Sequence, residues 1–160
     1  MLADFFKNYS SIIVFLHVIS AVIWVGGMIA IRFAVHYSMQ NIEEPKIKLE
    51  RTLENLKRFF SLVIPAILTL LITAIIMIIG SGFKESTLYS LVIVKELIWS
   101  LMTIIFIIIY IKRNKAQKSF LNEDMNTTKN NLIPIANYFI PINILLGIVA
   151  IFIGVLLRGL

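Results

Sequence analysis

The stretch Ser11–Met39, SIIVFLHVISAVIWVGGMIAIRFAVHYSM, decides the fold. It is longer than the ~20 apolar residues that cross a hydrocarbon core. It also carries His17 and Arg32 inside the run and His36 near its far end. Ionisable groups inside a membrane segment are costly, so they face a bundle interior, a cofactor or a partner, and each is a functional-site candidate. Three more runs of spanning length follow, Phe59–Gly80, Leu88–Ile111 and Leu132–Leu157.

Four such runs leave little chain for anything else. The 160 residues are 59% hydrophobic, with a mean hydropathy of +0.90. The expected fold is an all-α, integral membrane four-helix antiparallel bundle, one domain over residues 1–160. The connections 40–58 and 112–131 are expected as loops. A signal peptide is not expected, because the first run is too long for one and three more spans follow. With no cysteine in the chain, disulfides, thiolate metal sites and iron–sulfur clusters are excluded. The net charge of +6 does not point to nucleic acid, because the basic residues sit in membrane loops, where they set topology.

Lys46, Lys48, Arg51, Lys57 and Arg58 lie in the first long connection, and Lys112, Arg113, Lys115, Lys118 and Lys129 in the second. The opposite side holds Lys7, Lys84 and Arg158. This bias places both long connections in the cytoplasm and both termini outside, in a multi-pass protein of the inner (cytoplasmic) membrane. After Pro45, Ile47, Leu49, Leu53, Leu56 and Phe60 recur at roughly helical spacing. That pattern is either an amphipathic surface helix running into the second span or a solvated helical connector. The second connection is polar and is expected to be partly mobile. The short link Ser81–Thr87 makes spans two and three an expected antiparallel pair.

Depth follows from the ~1.5 Å rise per residue. His17, Thr73 and Lys95 each fall roughly 10 Å below the outer surface, on three different spans. At ~100° per residue, His17, Ala21, Trp24 and Met28 share one stripe, and Lys95, Trp99 and Met102 share another. If the stripes face each other they line a cavity with aromatic walls. The alternative is ordinary bundle core, with His17 bonding a neighbouring helix and Lys95 snorkelling. Glu96 points away from Lys95, and Arg158 is its candidate partner. Arg32 shares a depth with Pro65, which frees the carbonyl of Ser61. Arg32 is expected either to donate to that oxygen or to snorkel. His36 is expected at the interface. On span four, Gly147, Ala150 and Gly154 follow Asn143 at helical spacing, which favours close helix packing with Asn143 as an interhelical donor.

HVISAVIWVGG (His17–Gly27) resembles the copper resistance protein D (CopD-like) membrane domain family. So does FIPINILLGIVAIFIGVLLR (Phe139–Arg158), the last span. The wider superfamily includes HemJ-type protoporphyrinogen oxidases, which RFAVHY (Arg32–Tyr37), IPAILTLL (Ile64–Leu71) and the Val94–Lys95 pair resemble. That resemblance implies haem binding and activity through His17, Arg32 and Lys95. ANYFIP (Ala136–Pro141) lacks the glutamate of the Asn-Glu-x-x-Pro stretch in HemJ proteins, and Gly26–Gly27 is absent from them, so the CopD-like family is the nearer one.

Three functional expectations follow. The first is haem b or a related porphyrin held by His17, with Lys95, Arg32, Trp24 and Trp99 around it. A dimer partner, Lys95 or a methionine would complete the iron, and an enzyme of this kind would be a HemJ-like oxidoreductase. The second is copper handling through His17, Met28 and Met102, since copper(I) takes thioether and imidazole ligands. The third is a cofactor-free assembly subunit whose polar residues join helices. The partners expected are the lipid bilayer and a homodimer or a redox or assembly partner in the membrane.

Overall fold

The computed structural model describes residues 2–80 and 89–157. The first span is α1 (Leu2–Ala30), a π-helical segment (Ile31–Val35) and α2 (His36–Gln40), in one continuous helical run. The second is α3 (Pro45–Gly80) and the third α4 (Tyr89–Leu121). The fourth is α5 (Met125–Pro134), a second π-helical segment (Ile135–Phe139) and α6 (Ile140–Leu156). Among the described residues there is no strand.

Each span contains an apolar window of mean hydropathy 2.4 to 3.0, yet only 28% of each window is buried inside the bundle. Phe15, Leu62, Leu97 and Leu145 expose 62%, 66%, 66% and 65% of their surfaces. A soluble protein does not present contiguous apolar area on this scale, so the outer surface contacts lipid. The molecule is an all-α four-helix membrane bundle.

The chain departs from the sequence expectations in the connections. Helix α3 begins at Pro45, so the amphipathic stretch and the second span are one helix. Helix α4 runs on to Leu121, and only Asn122–Asp124 interrupts helix before α5. The segment expected to be mobile is therefore mostly helical. The turn is made by Glu123, whose φ of 60° reverses the chain, and by Asp124, which caps α5 by accepting from the Thr127 amide at 2.9 Å. Hydrogen bonds from Thr127 hold the Asp124 carboxyl below the usual carboxylate range. The cap is complete at neutral pH and is lost as pH falls through that lowered value.

We call the end holding the Gln40–Pro45 and Leu121–Met125 connections the loop end, and the other the terminal end. Packing is strongest between α1 and α3, and between α4 and both α5 and α6, with α1 also against α6. Helices α3 and α4 touch less. Phe60 meets Phe106 and Tyr110, both at 5.4 Å between ring centroids, and Arg113 donates to the Leu53 carbonyl at 3.2 Å. All three contacts lie toward the loop end. The expected pairing of spans two and three is thus the looser one, and the link expected to enforce it lies outside the described residues.

Glycines mark close approaches between the spans. A Cβ on Gly27 would sit 2.8 Å from the Phe59 ring. One on Gly147 would sit 2.6 Å from Val25 and 3.2 Å from Met102. Asn143 is fully buried and donates to the Met102 carbonyl at 3.2 Å, joining α6 to α4. Small residues that let helices approach, with a polar side chain bonding across, are how membrane bundles cohere without a hydrophobic drive between helices.

Candidate functional site

Each of the four spans contributes to one cluster in the terminal half. His17 of α1 donates from Nδ1 to the Thr73 hydroxyl of α3 at 2.9 Å. The Thr73 hydroxyl has one proton, and it is committed to backbone carbonyls of its own helix, Thr69 at 2.6 Å and Leu70 at 3.1 Å. Thr73 therefore accepts from the imidazole, which assigns the proton to Nδ1. Nε2 then keeps its lone pair, and among the described residues no hydrogen bond to it is found. A histidine oriented through one nitrogen by a neighbouring group, with the other free, is poised as a ligand.

Lys95 of α4 is the charged neighbour of His17. Its Nζ rests over α6, 3.1 Å from where a Cβ on Gly154 would stand. A side chain there would press the ammonium aside by a few tenths of an ångström. Among the described residues Lys95 has no carboxylate at ion-pair distance. The cluster is thus a histidine beside a lysine that has no carboxylate partner among the described residues.

Helix α4 stands away from the bundle at this level. Between Val92 and Met102 it buries no side chain. Lys95, Ile98 and Trp99 are half-buried, and Glu96 and Leu97 are exposed. His17 is half-buried as well. The bundle is closed by aromatic contacts at the loop end and is open on this side at the terminal end.

The other expected site residues lie elsewhere. Trp24 and Met28 are each 1% exposed and Met102 is 3% exposed. They form packed core, where Trp24 meets Phe106 edge-on at 6.1 Å. The expected aromatic-walled cavity between the two stripes is not formed by Trp24. The stripes do converge, but their deeper ends pack. Met28 is eleven positions along from His17, roughly 16 Å of helix, so the two cannot ligate one ion. Among the described residues no three His, Asp or Glu side chains converge on a metal position. Trp99 remains at the cleft, packed on the edge of the core.

Arg32 belongs to the loop end. Among the described residues it donates no hydrogen bond to the Ser61 carbonyl or to any other group. The expected bond is absent, and the first π-helical segment explains why. It inserts a residue into the helical count and turns Arg32 away from the face that a regular helix assigns it. Arg158, the expected partner of Glu96, lies outside the described residues. The role of Gly154 beneath Lys95 was hidden in a stripe of small residues that reads equally as packing.

No protein-family model matches the chain, and neither does any curated protein or solved structure at the threshold for similarity.

Proposed function

We propose that the chain is a multi-pass membrane protein that holds haem b, or a related porphyrin, through His17. One observation carries this reading. The Thr73 hydroxyl accepts from Nδ1, which would leave the Nε2 lone pair for iron. Lys95, unpaired beside it, would neutralise a propionate, and the half-buried Trp99 would flank the ring. Haem supplies one-electron chemistry when bound. The chain itself supplies the oriented imidazole, the cation and the apolar surroundings that exclude water. One histidine gives five-coordinate iron, and a second copy or a partner subunit would supply a sixth ligand where one is needed. The resemblance of Arg32–Tyr37 to HemJ-type oxidases supports a porphyrin, and that of His17–Gly27 to CopD-like proteins supports copper as the alternative.

A spectrum of the protein purified from haem-replete cells tests it. The wild type is expected to show a Soret band, and His17→Ala to lose most of it. His36→Ala should retain it, because His36 lies 19 positions along the same run, roughly 28 Å from His17. Equal haem content in wild type and His17→Ala would overturn the assignment. Colourless protein that takes up copper(I) would instead favour copper handling. Colourless, metal-free protein would favour an assembly subunit.

The cluster would face the outside of an inner membrane. Ten basic residues in the two loop-end connections, against three at the terminal end, support that orientation. A reporter active only after export, fused beyond Leu160, is expected to be active. Activity only from a cytoplasmic reporter at that position would reverse the orientation.

A further inference from the structure

At the loop end the first, second and fourth spans enclose a separate cavity of about 50 Å³. Both π-helical segments face it, through Ile31, Arg32 and Val35 on one side and Ile135 and Ala136 on the other. Such segments widen a helix locally and recur at binding sites. Thr52 and Asn55 of α3 add polar groups to an otherwise apolar wall.

The cavity mouth is basic. Arg32 and Lys48 are the charged neighbours of His36, and Arg32 and His36 line the opening. Lys48 stands next to the lining residue His36 and donates to the Gln40 carbonyl at 3.4 Å. None of the three makes an ion pair among the described residues, although Glu43 and Glu44 occupy the adjoining turn. An unpaired, half-buried arginine at membrane depth calls for an anion. The space holds only a few water-sized spheres, enough for a phosphate group and too small for a whole lipid. Beside it Phe33 and Ile133 present apolar surface, 62% and 40% exposed, where an acyl chain would lie.

We propose that Arg32, His36 and Lys48 form a binding site for the headgroup of an anionic phospholipid in the leaflet at the loop end. The phosphate enters the mouth and accepts from the guanidinium and the ammonium. The chains remain in the bilayer along the first span. Charge selects the lipid, and the apolar flank selects a lipid over a free anion. A basic pocket between spans at a membrane face is a setting in which this chemistry recurs. The site is independent of His17 and of any cofactor there.

Native mass spectrometry of the detergent-solubilised full chain tests this, with phosphatidylglycerol, phosphatidylcholine or inorganic phosphate added. Phosphatidylglycerol is expected to bind about 25-fold more tightly than phosphatidylcholine, from two cations each worth about fivefold near a membrane surface. Arg32→Gln should cut that preference about fivefold, leaving the part that Lys48 supplies. Lys48→Gln, a substitution outside the buried core, should cost about fivefold. Lys7→Gln removes the same charge at the opposite end and should change nothing. Equal binding of the two lipids by wild type would overturn the proposal. So would unchanged selectivity in Lys48→Gln, or equal loss in Lys7→Gln. Displacement of phosphatidylglycerol by inorganic phosphate would show a free-anion site and would also refute the lipid assignment.

Discussion

Trp24→Ala is expected to destabilise the bundle by about 3 kcal/mol. That is the low end of the range for truncating a large aromatic in a core. The low end applies because apolar surface outside this protein meets lipid, so the transfer part of the cost is weak and lost packing carries the effect. Trp24 is 1% exposed and holds Phe106 edge-on, and Phe106 in turn holds Phe60. Its removal therefore loosens the one aromatic chain joining α1, α4 and α3. The indole N–H has no hydrogen-bond partner, so Trp24→Phe should cost much less, because it also removes an unsatisfied donor. Helicity followed through an SDS titration of the detergent-solubilised protein measures both. Equal midpoints for wild type and Trp24→Ala would mean that the aromatic chain does not hold the bundle together.

Gly147→Ala should cost about 1–3 kcal/mol, the usual penalty for overpacking a filled interior. The new methyl would stand 2.6 Å from a Val25 methyl and 3.2 Å from the Met102 terminus. The Met102 side chain can yield, but β-branched Val25 on a helix has little rotamer freedom. The spans must then separate, which also strains the Asn143 bond to the Met102 carbonyl. Val25→Ala in the same chain should restore much of the loss, a coupling expected of residues in direct contact. Gly26→Ala is the internal comparison, since a Cβ there meets nothing within 4 Å. Losses of the same size at Gly26 and Gly147 would contradict this packing account.

The helical class and the four spans were legible because hydrophobic length is a strong signal that no tertiary contact needs to supply. The meeting of His17, Thr73 and Lys95 was also legible, since counting residues from one membrane face gives depth, and depth is most of what a bundle needs. What depth could not give was radial position. Trp24 and Trp99 sit at equivalent places on their stripes, yet one is packed core and the other half-open, because α4 leans away at the terminal end. Arg32 was misplaced for a different reason. Constant helical phase fails across Ile31–Val35, and no residue in IRFAV announces the change. The helix in the polar stretch after Ile111 was missed because Lys112–Leu121 lacks apolar periodicity. It is an extension of a long helix that was already nucleated, and extension is far easier than starting anew.

The open flank beside Lys95 has a consequence for how anything reaches His17. Phe60 and Phe106 pack the loop end, and one approach to His17 is sideways, from between the acyl chains. Occupancy would then follow a molecule's mole fraction in the membrane, not its aqueous concentration. A sparingly soluble, planar, amphiphilic compound accumulates in the bilayer and searches a two-dimensional sheet. A weak intrinsic affinity at His17 would suffice for such a compound and would still leave a hydrophilic metal complex unbound.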